Sequence, residues 1–397
     1  MRSFLGLFFR RKETSGNEAV LREIIRGVYD EAMAINCPYF LQQVQDVERA
    51  SRGLGLMGLA GSERQAKQWR ELSIPLINFS NTQGVVEGMA NVLSDDTSVG
   101  RLAAEHLIER GYRHFLFVGD TGKQWSVERL RGFVGQVEAH GFPVEVVETD
   151  PASRQTEPSP EAYAMALWEE VEPHLRKCPL ATGVFVANDW LAWPIWLELE
   201  ERYPERAFTT ALLGVDNLHD RLFDPRRTLG LSSILPGFRR MGAEGLRILV
   251  KAVHEGVDPA GLLLRIPPQK IFARASTAGQ ACEDPVVSQV VRELWAGLRR
   301  GKETPIAHLA KQKGMSLRSM EMRFEEHLGQ SARDLVAGMR IQLGKELMRQ
   351  TTWPIARISE HCGYANTTTF STFFKKKEGC SPREWRGREG KGMRGEG

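Results

Sequence analysis

Two hydrophobic periods alternate along residues 1–275, one typical of strands and the other of helices. Short apolar runs predict strands at Phe4–Phe9, Leu54–Leu59, Ile74–Phe79, Phe115–Val118, Val144–Val147, Val184–Val186 and Ala211–Val215. In the longer stretches between them, apolar residues recur every three or four positions, which predicts helices at Glu18–Ala34, Glu63–Leu72, Val99–Arg110, Val127–His140, Glu161–Arg176, Leu191–Arg202 and Arg239–Glu255. Because strands and helices alternate, the pattern predicts parallel sheets with helices on both faces.

A purely helical pattern, written twice, occupies the C-terminal part of the chain. The segment PIAHLAKQKGMSLRSMEMRF from Pro305 is matched by PIARISEHCGYANTTTFSTFF from Pro354, with a spacing of 49 residues before the turn and 50 after it. Each copy has a short apolar stripe, then a glycine (Gly314 or Gly363), then a second helix with apolar residues four apart. One such copy is compatible with an ordinary helical hairpin, but the repeat predicts two DNA-binding helix-turn-helix modules.

Local signals predict the ends and faces of these helices. Gly314 can adopt the positive φ that ends a helix, and Ser316 is placed to cap the next one. Apolar residues recur every four positions over Asp334–Gln350, so one amphipathic helix is predicted to join the two modules. The side chains expected to contact DNA are Leu317, Arg318, Ser319, Met322 and Arg323 in the first copy and Asn366, Thr367, Thr368, Thr372, Lys375 and Lys376 in the second.

The second copy carries a motif of known type. Its residues are Gly363, Tyr364, Phe370, Phe374, Lys375, Lys376, Gly379, Ser381, Pro382, Glu384, Trp385 and Arg386. In this order they resemble the DNA-binding domain of AraC-type transcription activators, and the resemblance covers about 100 residues. It implies an all-α domain with two helix-turn-helix motifs that binds double-stranded DNA.

The charge distribution agrees with a DNA-binding C-terminal part. Residues 281–397 contain 21 Lys and Arg against 14 Asp and Glu, a net charge of +7. The rest of the chain has 32 basic and 36 acidic residues, a net charge of −4. A basic region on a mildly acidic body is typical of a protein that contacts phosphates through one domain.

Polar residues follow several predicted strands of the first part, where open parallel sheets bind their ligands. These residues are Arg10, Arg11, Asp120, Asn188, Asp189, Asp216 and Asn217. The surrounding blocks SDDTSVGRLAAEHLIERGYRHFLFVGD, ERLRGF, GVFVAND and ALLGVDN resemble the effector domain of LacI-type regulators and periplasmic sugar-binding proteins. The resemblance covers roughly residues 3–275 and implies two α/β lobes that close on a ligand. It also implies sugar contacts from Arg129, from Asn188 or Asp189, from Asp216 and, less directly, from Asn217.

The residue types at these positions suit a sugar. Asp, Asn and Arg side chains can each bind two neighbouring hydroxyls, and the ring of Trp125 or Trp190 can cover the apolar face of a pyranose. Two structural alternatives stay open, namely that Asp216 caps a loop and that Arg129 pairs with Glu128 or another surface acid. Either alternative would give these side chains a purely structural role.

The cations Arg10, Arg11 and Lys12 leave the charge of the effector open. They either face solvent, which suits a neutral, xylose-like sugar, or they contact an anionic effector such as a uronate or a sugar phosphate. Gly53–Gly58 fits the dinucleotide fingerprint G-x-G-x-x-G, but these glycines lie within a predicted strand and follow a charged helical segment, so the required strand–turn–helix context is missing. The sequence also lacks a phosphate loop, a nucleophile elbow and a His/Cys cluster, so we expect neither an enzyme nor a cofactor or metal site.

Cysteine usage and the N-terminal segment bear on the compartment. Five cysteines without a Cys-x-x-Cys pair favour a reducing environment, and MRSFLGLFFRR lacks the length and cleavage site of a signal peptide. We therefore expect a cytoplasmic protein without a membrane partner. The expected limits are an effector-binding and dimerisation domain at 1–275, a linker at 276–289, a DNA-binding domain at 290–386 and a disordered tail at 387–397.

These features predict a ligand-responsive transcription regulator in which a two-lobe α/β domain precedes an all-α tandem helix-turn-helix domain. We expect an activator of sugar-utilisation genes that binds DNA as a homodimer, contacts RNA polymerase and responds to a xylose-like sugar. Control by an acidic or phosphorylated sugar, or action as a repressor, is the alternative. A transport-type binding protein is not expected, because it would need a signal peptide and no DNA-binding module.

Overall fold

The computed structural model describes residues 4–8, 15–120, 122–150, 159–218, 230–277, 281–302 and 304–387. These residues form two compact units, one within 1–178, 183–198 and 212–273 and the other within 179–182, 199–211 and 274–397. Arg10, Arg11, Lys12, residues 278–280 of the predicted linker and the tail from residue 388 lie outside the described residues.

The first of two six-stranded sheets is built from parallel strands with almost entirely apolar interiors. Its strands are β1 (Phe4–Phe8), β2 (Phe40–Val44), β3 (Gly55–Gly58), β4 (Leu76–Asn78), β5 (Ala90–Ser94) and β11 (Leu263–Ile266). Their spatial order is β11-β5-β4-β3-β1-β2, and each described pair is parallel. Residues such as Leu5, Leu56 and Val92 are fully buried between the sheet and its helices.

The second sheet has the spatial order β12-β10-β9-β8-β6-β7. Its strands are β6 (His114–Asp120), β7 (Val144–Thr149), β8 (Thr182–Val186), β9 (Ala211–Val215), β10 (Ser232–Leu235) and β12 (Lys270–Phe272). Pairs β6–β7 and β9–β10 are parallel, whereas β12 runs antiparallel to β10. The alternating sequence pattern predicts α/β sheets with parallel strands, and this prediction is confirmed, with β12 as an antiparallel strand of the second sheet.

Helices accompany both sheets. They are α1 (Ser15–Ala34), α2 (Val47–Ala50), α3 (Glu63–Arg70), α4 (Asp96–Glu109), α5 (Gln124–Ala139), α6 (Pro160–Lys177), α7 (Asp189–Arg202), α8 (Pro204–Thr209) and α9 (Phe238–Glu255). Trp193 and Trp196 of α7 are buried, as expected of residues that lie three positions apart on an inward face. Gly55 and Gly58 lie in strand β3, so the glycine fingerprint has no strand–turn–helix context.

The second unit contains the two repeated modules. Its helices are α10 (Pro285–Arg299), α11 (Ile306–Gln312), α12 (Leu317–Leu328), α13 (Ala332–Gln350), α14 (Ile355–His361) and α15 (Thr367–Glu378), followed by a helix over 382–387. Phe324, Phe370 and Phe374 are fully buried in one continuous core. Each module is thus a helix-turn-helix, and α13 is the single joining helix that the four-residue apolar spacing predicts.

A stretch that is distant in sequence completes this second unit. Residues 199–211, which contain α8, pack on α10. Glu200 Oε1 lies 3.1 Å from Arg292 Nη2, and the Ala181 amide donates to Glu283 Oε1 at 3.0 Å. Helix α10 begins at Pro285, five residues inside the span expected for the linker. None of the helices in the described ranges is long and apolar enough to cross a membrane.

Candidate effector site and DNA-binding surface

Helices α4 and α5 approach so closely that their backbones touch through glycines. A Cβ atom on Gly100 would lie 2.0 Å from the carbonyl oxygen of Arg129, and one on Gly132 would lie 2.0 Å from that of Thr97. This approach brings the first residue of α4, Asp96, beside the α5 side chain of Arg129. The Arg129 Nε atom donates to Asp96 Oδ1 at 2.9 Å, and both side chains are buried. Gly100 and Gly132 thus position a buried ion pair.

The guanidinium of Arg129 reaches three further groups. Its Nη1 donates to the carbonyl oxygen of Ala187, its Nη2 lies 3.6 Å from Asp216 Oδ1, and its Cζ lies 5.0 Å from the ring centre of Trp125. Burial lowers the pKa of Arg129, but the attraction of Asp96 and Asp216 more than offsets burial and raises the pKa above its ordinary value. Arg129 is therefore a fixed cation, held by residues that follow different strands.

Asp216 lies directly after β9 in a conformation that side chains rarely adopt, with φ of +96°. Burial raises the pKa of Asp216 to about 6, although the nearby Arg129 guanidinium lowers it. Within the described part of the chain, the buried Oδ1 atom of Asp216 has no hydrogen-bond partner. A strained, buried acceptor beside a cation is a common feature of a ligand site.

Asn188, Asp189 and Asn217 hold the rim of this site. The Oδ1 atom of Asn188 accepts from the Leu191 amide at 2.9 Å and so caps α7. Asp189 accepts at 2.8 Å from the Ser233 hydroxyl and at 2.8 Å from the Leu218 amide. The Asn217 amide donates to the same Ser233 hydroxyl at 2.9 Å. Asp189 and Asn217 thus fix the loop that carries Asp216, while Arg129 contacts both Trp125 and Asp216.

Arg129 pairs with the buried carboxylate of Asp96 and not with Glu128. Glu128 does not pair with Arg129, because both oxygens of Glu128 accept from Arg265, at 2.8 and 2.9 Å. The Asp216 side chain lies beside Arg129, with Oδ1 3.6 Å from Arg129 Nη2. Trp190 lies against Tyr163 with the ring centres 6.4 Å apart.

The sequence pattern missed a set of side chains that extends the site toward the first sheet. Asn81, in the loop after β4, donates through Nδ2 to Asp96 Oδ2 and to Glu128 Oε2, both at 2.9 Å. The Asn81 carbonyl oxygen accepts from the Trp125 amide at 3.1 Å, so the start of α5 is tied to this loop. The polar run Ser80–Asn81–Thr82 after a buried strand could have indicated a site residue, but the side chains that it contacts lie far away in the sequence.

Asp120, the last residue of β6, is also buried. Its Oδ1 atom accepts from the Gly122 amide at 2.9 Å, and burial raises its pKa. Its backbone amide donates to the Ser126 hydroxyl at 2.9 Å. These bonds connect the end of β6 to the start of α5, the helix that carries Trp125 and Arg129.

The first helix-turn-helix module has the expected turn and cap. Gly314 has φ of +69°, and the Ser316 hydroxyl accepts from the Ser319 amide at 3.1 Å. Met320 and Phe324 are fully buried, so the opposite face of α12 is exposed. The expected DNA-facing side chains on that face are Leu317, Arg318, Ser319 and Met322. A helix with exposed N-terminal residues of this kind fits the major groove.

Arg323 differs from that expectation. Its Nη1 atom lies 2.8 Å from Asp284 Oδ2, and Asp284 in turn caps α10 by accepting from the Val287 amide at 2.8 Å. His327 Nε2 lies 3.3 Å from the same carboxylate oxygen. Arg323 therefore holds α12 to the start of α10, a role that its position within the recognition helix did not reveal.

The second module ends in a strongly basic helix. Thr368, Thr372, Lys375 and Lys376 of α15 are exposed, and Thr367 is half-buried. Phe373, which the sequence interpretation left out, is 44% exposed on the same helix, beside Tyr364. The sequence pattern does not predict this exposure, because Phe373 and Phe374 are adjacent apolar residues and only Phe374 lies in the core.

Asn366, one of the expected DNA contacts, also has a structural role. Its Oδ1 atom accepts from the Thr369 amide at 2.8 Å and from the Thr369 hydroxyl at 2.9 Å, so it caps α15. The following helix begins with a reciprocal cap, in which the Glu384 amide donates to Ser381 Oγ and the Ser381 amide donates to Glu384 Oε2. Both turns are therefore built from local caps.

Comparison with known proteins agrees with this division. Residues 104–277 match the family model of a periplasmic binding protein-like domain, and residues 309–388 match that of a helix-turn-helix domain. The xylose operon regulatory protein of Escherichia coli (strain K12) is 24% identical over 387 residues, which are 94% of this chain and 95% of that protein. The protein of the same name from Haemophilus influenzae (strain Rd) is 26% identical over 298 residues, 74% of each.

Solved structures show the same fold. The structure of the xylose-binding transcription activator XylR superposes with a TM-score of 0.71 at 21% identity and covers 97% of this chain and 98% of that chain. A regulatory protein of the LacI family from Chloroflexus aggregans superposes with a TM-score of 0.51 at 20% identity and covers 69% of this chain and 98% of that one. The chain is a DNA-binding transcription regulator that joins a periplasmic binding protein-like domain to an AraC-type helix-turn-helix domain, and it is homologous over nearly its whole length to xylose operon regulatory proteins.

Proposed function

We propose that this regulator activates sugar-utilisation genes when a sugar binds beside Arg129 and Asp216. The observation that carries the proposal is the buried pair of Arg129 and Asp216, in which Asp216 Oδ1 lies 3.6 Å from Arg129 Nη2, just beyond hydrogen-bond distance, and accepts no hydrogen bond within the described residues. A sugar hydroxyl can accept from Arg129 and donate to Asp216 at once. The relatives that are xylose operon regulators support a pentose such as xylose as the effector.

Each effector residue has a proposed role. Arg129 and Asp216 bind hydroxyls directly, and the ring of Trp125, packed on the guanidinium, covers an apolar face of the sugar. Asn188, Asp189 and Asn217 lie at the edge of the site and contact the sugar through the side-chain atoms that do not hold the loop. Because the loop contacts of Asp189 connect α7 to residue 218, sugar binding at Asp216 also tightens this rim.

DNA recognition is divided between two helices. In our proposal Leu317, Arg318, Ser319 and Met322 read base edges through α12, and Thr367, Thr368 and Thr372 do so through α15. Lys375 and Lys376 are exposed and bind phosphates in this proposal. Arg323 and Asn366 support the two recognition helices rather than reading bases.

The joining helix fixes the spacing of the two modules. Helix α13 has 19 residues and spans about 28 Å at about 1.5 Å per residue. With the recognition helices added at its ends, it suits two successive major grooves, which are about 34 Å apart on one face of the duplex. One subunit would then protect roughly 17–20 base pairs.

The remaining properties follow from a regulator of this kind. We propose a cytoplasmic homodimer that contacts RNA polymerase and has no catalytic activity. The proposed limits are an effector-binding and dimerisation domain at 1–275, a linker at 276–289, a DNA-binding domain at 290–386 and a tail at 387–397. Dimerisation through the effector domains would align two DNA-binding domains on repeated sites.

A sugar-binding experiment tests the proposal. A thermal-shift screen of neutral and acidic sugars should identify a stabilising sugar, and Arg129→Ala and Asp216→Ala should each weaken its binding about tenfold or more, since each loses a charge-assisted hydrogen bond of roughly 1.5–3 kcal/mol. Binding of DNA without the sugar should persist in both variants. Wild-type sugar affinity in both variants, or no response to any sugar, would contradict the proposed site.

A further inference from the structure

The two recognition helices differ in charge. Helix α12 carries two arginines and three glutamates, whereas α15 carries three lysines and one glutamate. One arginine of α12, Arg323, is held by Asp284 at 2.8 Å, and the single glutamate of α15, Glu378, is held by Lys345 at 2.8 Å. Attraction to phosphates is therefore concentrated on α15, and α12 must contribute to DNA binding in another way.

Glu321 lies on the exposed face of α12. It is the fifth residue of the helix, three positions after Arg318 and directly before Met322, which is 61% exposed. Residues three and four apart are neighbours on a helix surface, so Arg318, Glu321 and Met322 share one face with Glu325. A carboxylate thus lies among the side chains that are expected to meet the base edges.

The Glu321 carboxylate is not used inside the protein. In the described ranges of the chain, the side chains of Arg318 and Glu321 pair neither with each other nor with another residue. Arg323, two positions further along, is engaged by Asp284. Both Arg318 and Glu321 are exposed, so they can contact DNA without first breaking an ion pair.

A carboxylate selects among the bases because it can only accept hydrogen bonds. In the major groove guanine presents the acceptors O6 and N7, and thymine presents the acceptor O4, so both repel it. Adenine offers the N6 donor but places the N7 acceptor beside it. Cytosine offers the N4 donor without a neighbouring acceptor and is therefore the base that suits a glutamate.

We infer that Glu321 determines sequence preference by accepting a hydrogen bond from the N4 amino group of a cytosine. Glu321 lies about 4.5 Å beyond Arg318 along the helix, at about 1.5 Å per residue, and base pairs are about 3.4 Å apart. The cytosine is therefore within about two base pairs of the base that Arg318 contacts. This inference rests on the proposed placement of α12 in the major groove and adds a specificity-determining residue to it.

Glu325 gives a matched control on the same face. It is exposed and lies four residues after Glu321, about 6 Å farther from the N-terminal end of α12. Recognition helices of this kind contact base edges through their N-terminal residues, so Glu325 is expected to lie beyond the bases. Glu321→Gln and Glu325→Gln remove the same charge, and an effect that both share is electrostatic.

Selection from a library of duplexes with a randomised core tests the base preference. The full chain is used with and without D-xylose, and the wild type should select a cytosine within about two base pairs of the position that Arg318→Ala relaxes. Glu321→Gln should prefer adenine there, because a Gln amide matches adenine N6 and N7, and the affinity ratio of the cytosine and adenine duplexes should fall at least tenfold. Glu325→Gln should keep the preference for cytosine.

A modified base tests the contact at a single atom. A duplex with 2-pyrimidinone in place of the selected cytosine lacks the N4 amino group, so the wild type should bind it about tenfold more weakly than the cytosine duplex. Glu321→Ala should bind the two duplexes with equal affinity. Equal binding of both duplexes by the wild type would overturn the inference.

Failure of this inference and failure of the proposed function give different results. If Arg318→Ala relaxes base preference but Glu321→Gln does not, Glu321 is not a base contact and the proposed role of α12 stands. If neither variant changes base preference, α12 does not read bases and the proposed division of recognition fails. If Glu325→Gln loses the same cytosine preference as Glu321→Gln, the effect is electrostatic and the inference is wrong.

Discussion

Replacing Gly132 with alanine would separate the two helices that form the Arg129–Asp96 ion pair. The added Cβ atom would lie 2.0 Å from the carbonyl oxygen of Thr97, whereas an ordinary contact at this position would be at least 3.4 Å. Because the opposing atom belongs to the backbone of α4, no side-chain rotation relieves the clash. Helix α5 would have to move by about 1.4 Å, or both helices would have to bend.

A second glycine on the same helix gives a matched control. A Cβ atom on Gly135 would meet no atom within 4 Å. Both substitutions gain helix propensity, worth about 1 kcal/mol each, so this gain cancels when the two variants are compared. The difference in the free energy of unfolding between Gly135→Ala and Gly132→Ala should then equal the cost of overpacking, about 1–3 kcal/mol.

The functional effect should follow the same displacement. Arg129 lies one turn before Gly132, and a shift of about 1.4 Å would break its 2.9 Å hydrogen bond to Asp96. Folded Gly132→Ala should therefore bind the effector more weakly, while Gly135→Ala keeps wild-type affinity. Urea denaturation measures the stability of both variants, and calorimetric titration measures their sugar affinity.

Equal stability of the two variants would refute this reasoning. It would mean that α4 and α5 can separate without cost, and that their close approach does not hold the ion pair. If Gly132→Ala is destabilised but binds sugar normally, helix packing contributes to stability but does not control the position of Arg129.

Three further predictions concern charged side chains. Arg318→Ala should relax base preference at one or two positions, by roughly 1–3 kcal/mol in competition binding. Arg323→Ala should instead lower the melting temperature, because it weakens the contact of α12 with α10, and should leave base preference unchanged. The opposite pattern would reverse the two roles. Lys376→Ala should weaken binding to all DNA sequences and reduce the slope of log affinity against log salt by about one unit, and an unchanged slope would exclude a phosphate contact. Because burial raises the pKa of Asp216 from 3.8 to about 6, its contribution to stability is full below about pH 4 and is lost as the pH rises through 6. Asp216→Asn should remove up to about 2 kcal/mol of the fall in stability between pH 4.5 and 7.5, measured by urea denaturation, and an identical pH dependence in both proteins would contradict the raised pKa.

The sequence predicts much of the fold because buried parallel strands leave continuous apolar runs. The sequence does not predict strands β2, β5, β10, β11 and β12, and two of these show where the signal fails. Strand β5 buries Asn91 and Ser94, and strand β10 buries Ser232 and Ser233, so neither strand reads as an apolar run. The Asn91 side chain is satisfied by Asn78 and by backbone groups of the loop over 86–89, and such partners are visible only once the chain is folded.

The candidate site was predictable only in part for a similar reason. Arg129 and Asp216 belong to local blocks that resemble a known family, so the sequence is sufficient to find them. Asp96 pairs with Arg129 across 33 residues, and Asn81 reaches Glu128 across 47. No local pattern encodes such pairs. Asn366 is a different case, because an Asn before a helix is a recognised capping signal, so its cap on α15 could be predicted from the sequence.

The discontinuity of the second unit limits how this regulator can be recombined with others. Residues 199–211 lie far from the DNA-binding segment in sequence, yet they pack on α10, and Glu200 pairs with Arg292. A chimaera fused near residue 275 would separate these surfaces from the partners with which they are matched. Exchange of the helix-turn-helix segment between relatives therefore requires the 199–211 stretch to be exchanged as well. The two stretches are thus constrained to evolve together, although a single boundary in the sequence separates the two domains.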